Sequence, residues 1–161
     1  MSGETVEAVD TATHRRLGID LFNGTWRLIE LEERTPEQMD AMIHAAHASR
    51  HHWAESGGTQ AHLARGEWQC ARVYATLGRA EPALWHAHRC LELCEAGGEG
   101  FEDWDLAAAH EATARALLVA GELEEAARHA CLAREALAAV ADDEDRQIVA
   151  ADLDALALDG R

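Results

Sequence analysis

The chain has 161 residues, enough for one domain that buries about two-thirds of the surface its unfolded form exposes, so folding requires neither disulfides nor a structural metal. About a fifth of the residues are alanine and only two are proline, a composition of closely packed helices on short links rather than of strands. A net charge of −16 repels phosphate backbones and anionic lipid surfaces, which argues against nucleic acid and membrane as partners.

Residues 1–16 are polar and aperiodic and are expected to form a flexible arm, with residues 17–161 making a single helical domain. No apolar run approaches the ~20 residues that span a bilayer, and "MSGETVEAVDTATHRR" lacks the apolar core of a signal peptide, so a cytoplasmic protein is expected. Beyond the arm the chain breaks at "RTPEQ", "ESGGTQ", "LGRAEP", "EAGGEGFED", "AGELEE" and "VADDED". These marks leave seven helices, over about 18–33, 36–55, 60–77, 80–96, 102–120, 122–140 and 142–158. Thr35 is placed to cap the second helix, with Pro36 in its first position. Links this short make neighbours antiparallel, so the fold class expected is all-α, a row of helical hairpins.

The second helix carries "HAAHASRHHW", four histidines and a tryptophan in ten positions. Asp40, His44, His47 and His51 are spaced four, three and four apart, which puts them on one narrow stripe, with His52 about a quarter-turn away. Met39, Ile43 and Ala46 lie on one flank and Ala41, Ala45 and Ala48 on the other, so the stripe is expected within or at the edge of the packed face. Gln38 and Ser49 fall on the opposite side, expected to be wet. Imidazoles in a packed seam need hydrogen-bond partners or an ion, and neutral histidine nitrogens suit zinc, copper, iron or nickel. Asp40 on the stripe, Glu30 on the first helix and Glu67 on the third are the nearest carboxylate donors by sequence. No HExxH and no duplicated ExxH occurs, and histidines bonded to carbonyls or acids in an interhelical seam are the weightier account of the stripe.

Further along, "ARVYATLGRAEPALWHAHRCL" (71–91) aligns on "ARALLVAGELEEAARHACLAR" (114–134) at a constant offset of 43 residues. Ala71 falls on Ala114, Gly78 on Gly121, Ala83 on Ala126 and His86 on His129. A small residue inside the first helix, Tyr74 three residues later in the first copy, a glycine ending that helix and an alanine five residues on resemble the tetratricopeptide family, over about residues 60–140. The offset exceeds the usual ~34 residues, and Leu117 stands where the tyrosine is expected. The resemblance implies a right-handed array of stacked hairpins, with the last helix, carrying Ile148, Val149, Leu153 and Leu156, as a cap on the open end. It also implies a concave groove lined by the first helix of each pair, which on this chain carries Arg65, Trp68, Arg72, Glu111 and Arg115. Guanidinium groups grip carboxylates and tryptophan offers a rigid apolar platform, so such a groove suits a peptide, a partner protein or a small anion. The same arginines could instead neutralise Glu67, Asp103 and Asp105.

Cys70, Cys90, Cys94 and Cys131 form no CxxC pair and read as small buried hydrophobes, although Cys90 and Cys94 with His86 would make a soft-metal set. Trp26, Trp53, Trp68, Trp85 and Trp104 fall one on each of the first five helices and are expected mostly as core anchors. Two functions fit the chain. One is a non-enzymatic scaffold binding a peptide or partner protein in the groove; the other is a metal-binding protein or metal-dependent enzyme using His44, His47, His51, His52, Asp40 and Glu67. Few repeats and an open end also leave room for a homodimer.

Overall fold

The first, second, third and seventh helices begin where a side chain covers free amide groups of the first turn. The Asp10 carboxylate accepts the Thr13 amide at 2.7 Å and starts α1 (Thr11–Ile29). Thr35 and Gln38 cap one another reciprocally, with Pro36 in the first turn, and start α2 (Pro36–Glu55). After these come α3 (Gln60–Thr76), α4 (Ala80–Ala96), α5 (Asp105–Ala120), α6 (Leu123–Leu137) and α7 (Asp143–Asp154). The computed structural model describes residues 8–158, and among them it is all helix and connection, with no strand. No helix is long and apolar enough to cross a membrane among the described residues.

Of the arm expected over residues 1–16, residues 1–7 lie outside the described residues, while Thr11 to Arg16 belong to α1. The aspartate cap supplies the reason. Residues 102–104 make a turn rather than the start of α5, because the Asp105 carboxylate takes the Glu102 amide at 2.8 Å. At the repeat glycines, Gly78 and Gly121 adopt φ of 70° and 81°. Arg79 and Glu122 then donate back to Tyr74 and Leu117, each at 2.9 Å, closing α3 and α5 as their matched spacing predicts.

The helices pair as hairpins α1–α2, α3–α4 and α5–α6, each pair packed on the next, with α7 laid on α5 and α6. The odd-numbered helices touch in sequence and form an inner row; the even-numbered ones lie outside it. Small residues set the spacing: Ala71, Ala83, Ala87, Ala112 and Ala116 form one cluster at the second hairpin's junction with the third. Bulkier clusters close the ends, with Ile29, Met42 and Val73 at one and Leu137, Val140, Val149 and Leu153 at the other. The cap expected of α7 is formed by Val149, Leu153 and Leu156, whereas Ile148 is 58% exposed and turns to the inner side.

The packed face of α2 is not the expected one. Met42, Ala46 and Ser49 are buried, and Ser49, expected to be wet, is 0% exposed. Its hydroxyl donates to the Gly18 carbonyl at 2.7 Å. Gly18 lets α1 approach this closely, since a Cβ there would meet the Trp53 indole at 3.1 Å.

Candidate functional site

Two constellations stand out, one on each side of α3. On the inner side a groove of about 350 Å³ runs between α1, α3, α5 and α7. Its walls include Trp26, Trp68, Trp104 and Ile148, with Cys90 and Cys94 of α4 at the back. Trp26 and Trp68 lean together with ring centres 5.4 Å apart. The indole N–H of Trp68 is buried and has no hydrogen-bond partner among the described residues.

Of the residues expected to line the groove, Arg65, Trp68 and Glu111 do so, whereas Arg72 and Arg115 lie outside its lining on Glu111 and Asp152, and all three arginines are already engaged. Arg65 grips Asp105 through Nε at 3.0 Å and Nη2 at 2.7 Å while lying 4.6 Å over the Trp104 ring. Arg72 reaches Asp152 of α7 at 3.0 Å and stands 3.8 Å from the Glu111 carboxylate. Arg115 donates to Glu111 from Nε at 2.8 Å, and its Nη2 also meets the Asp152 carbonyl at 3.2 Å. Glu111 is 1% exposed; burial pushes its carboxyl up, and the neighbouring Arg115 and Arg72 pull against that. Neutralisation of the arginines therefore holds, although Asp105, Glu111 and Asp152 are the main partners rather than Glu67 or Asp103. Asp145, at the α7 rim, makes no ion pair among the described residues.

On the outer side His47 of α2, Cys70 of α3 and His86 of α4 bring one donor atom each to within 4.8 Å of one another. Glu67 sits beneath them: Arg50 donates to one of its oxygens at 3.0 Å, and His86 Nδ1 lies 2.7 Å from the other. Burial pushes the Glu67 carboxyl up, and the bonds from His86 and Arg50 outweigh it and leave it below the ordinary range. Gly66 makes the Arg50 contact available, since a Cβ there would fall 2.8 Å from the Arg50 Cδ. His47 Nε2 meets the Tyr74 hydroxyl at 3.0 Å, and Tyr74 stacks on His86. Burial first, and then His86, hold the His47 imidazole below its usual range, so it is neutral near pH 7. Burial pushes the Cys70 thiol up to about 12.

The six candidate ligands, five on α2 and Glu67 on α3, are thus dispersed. Only His47 and Glu67 reach this cluster; Asp40 and His44 are exposed. His52 joins His14 of α1 with Nδ1 atoms 2.7 Å apart, and His51 lies beside that pair. Cys90 and Cys94 do not converge with His86, whose ring is turned toward Glu67, and no such trio forms among the described residues. Cys131 is exposed, not buried. Trp85 is 67% exposed, so it anchors no core. Trp53 stacks on His62 at 4.1 Å and Trp104 precedes α5.

Sequence reasoning missed Cys70, Tyr74 and His86 as a unit and missed Asp145, Ile148 and Asp152 in the groove. For the first, a signal existed: Glu67, Cys70 and Tyr74 share one stripe of α3, opposite Arg65, Trp68 and Arg72. For the second, nothing local shows which face of a capping helix turns inward. Compared with protein-family models, curated proteins and solved structures, the chain finds no match.

Proposed function

We propose that this protein is a small non-enzymatic scaffold of the tetratricopeptide-like kind whose inner groove captures a partner protein through a short peptide segment. The observation that carries it is the groove itself, about 350 Å³ and walled by three tryptophans and an exposed isoleucine, within the size range of ligand pockets. Its charge pattern refines the choice of segment. Because the arginines are already paired and Asp145 is not, an anion meets no free cation, whereas a lysine or arginine flanking a bulky apolar side chain meets aromatic faces and a carboxylate. A net charge of −16 draws such basic segments toward the molecule.

Selection of a random peptide library on the immobilised protein tests this. Apolar segments with adjacent lysine or arginine should be enriched, and their binding, followed by tryptophan fluorescence, should fall by about tenfold or more in Ile148→Asp and Trp104→Ala. Enrichment of acidic peptides, or binding indifferent to both changes, would count against it. Charge reversal at Arg72 or Arg115 is a poor probe, since it sets a like charge beside Asp152 and buried Glu111 and removes one of their partners.

A further inference from the structure

We infer that His47, Cys70 and His86 form a binding site for one transition-metal ion of the zinc class, on the outer side of the array and independent of the groove. The three side chains come from three successive helices and their donor atoms all lie within 4.8 Å of one another, the one such group of three among the described residues. Zinc holds nitrogen at about 2.0–2.1 Å and sulfur at about 2.3 Å, so tetrahedral donors stand about 3.4–3.6 Å apart. Closing the set by about 1 Å is within the reach of ordinary side-chain rotation, because His47 sits at the solvent edge of its helix.

Hydrogen bonds within the interhelical seam account for one nitrogen of each histidine and leave its other nitrogen and the Cys70 sulfur without one among the described residues. His86 has its Nδ1 on Glu67, so a neutral ring donating there presents a bare Nε2. That carboxylate–histidine pair is the arrangement that orients metal-bound imidazoles. Glu67 is itself fixed by Arg50, which makes it a positioning residue rather than a ligand. His47 has its Nε2 on Tyr74 and keeps Nδ1; neither that nitrogen, nor His86 Nε2, nor the Cys70 sulfur makes a hydrogen bond among the described residues. Two imidazoles and one thiol are a borderline-soft donor set, matched to zinc and its cobalt(II) surrogate rather than to magnesium or calcium. On binding, the Cys70 S–H proton leaves to solvent and the sulfur bonds the ion as thiolate. Three protein ligands leave a fourth position for water. The ion would stitch α2 to α4, which lie side by side without close backbone packing.

Cobalt(II) titration of the full-length, untagged chain tests this, with zinc as competitor. The expected result is about one ion per chain, a near-ultraviolet thiolate-to-cobalt charge-transfer band, and its loss on adding zinc. The band should vanish in Cys70→Ala, weaken strongly in His47→Gln and His86→Gln, and persist in Cys131→Ser and His52→Gln. Glu67→Gln should lower affinity by about 10–100-fold while keeping the band. Circular dichroism shows whether Cys70→Ala remains helical; if it does not, the two histidine variants decide the matter. Absence of the band in the native chain, its survival in folded Cys70→Ala, or its equal loss in His52→Gln would overturn the proposal.

Discussion

Glu111 shows how single residues in this chain are governed by partners that arrive from elsewhere. Its carboxylate is 1% exposed and stands between Arg115 one turn away and Arg72 on the neighbouring helix, with Asp152 of α7 completing the network. Burying ions is costly, and the arrangement stands because opposite charges and hydrogen bonds offset that cost together. Glu111→Ala leaves two guanidinium groups with half their counter-charge, and we expect urea melts to show a loss of about 3–5 kcal/mol. A loss below about 1 kcal/mol would mean that the network is solvated in solution. Ser49 makes the complementary point. From a helical wheel it is polar and outward, yet it is buried because its hydroxyl fits the Gly18 carbonyl, a contact that depends on a glycine 31 positions away.

At the scale of elements, α3 is the pivot, with the groove on one face and the histidine–cysteine cluster on the other. Its stripes at 65, 68, 72 and at 67, 70, 74 were legible as stripes; which helices faced them was not. Helix α7 is the second decisive element, since it seals the last hairpin with Leu153 and walls the groove with Ile148 and Asp152. Leu153→Ala should cost about 2–5 kcal/mol. Because stacked hairpins communicate mainly with their neighbours, amide exchange should quicken first in α7 while α1 to α4 keep their protection. Uniform loss of protection along the chain would show that the array unfolds as one unit.

Over the whole molecule, histidine titration links pH to stability. His110 of α5 and His129 of α6 meet with Nδ1 atoms 3.1 Å apart, so one must be the donor and the other a bare acceptor. Burial is the first cause that lowers each below its ordinary value; His110 and Arg128 also lower His129, as does His88, whereas Glu95 and Glu125 oppose the shifts. A lowered native value means that the unfolded chain takes up protons first. The stabilisation is therefore complete above the unfolded value near 6.5 and is lost as pH falls through the native values. Acidification from about pH 7.5 to about pH 5.5 should lower the melting temperature, and His110→Gln with His129→Gln should reduce that slope. An unchanged slope in the double variant would show that other groups carry it.

Helix number, the glycine closures at 78 and 121, the alanine positions 83 and 126 and the all-α class followed from the sequence alone. They depend on local causes: caps, conformational freedom at glycine, and small residues at helical spacing. The early start of α1 at Thr11 rests on the local Asp10 cap, whereas tertiary structure alone decided that Ser49 is buried and that the histidine stripe of α2 divides. It also decided that His47 meets Cys70 and His86 while His52 meets His14. Periodicity gives the angle of a side chain about its own axis but not the neighbour across the seam. That neighbour is set by how close small residues let two helices approach, and closeness is a property of both helices together.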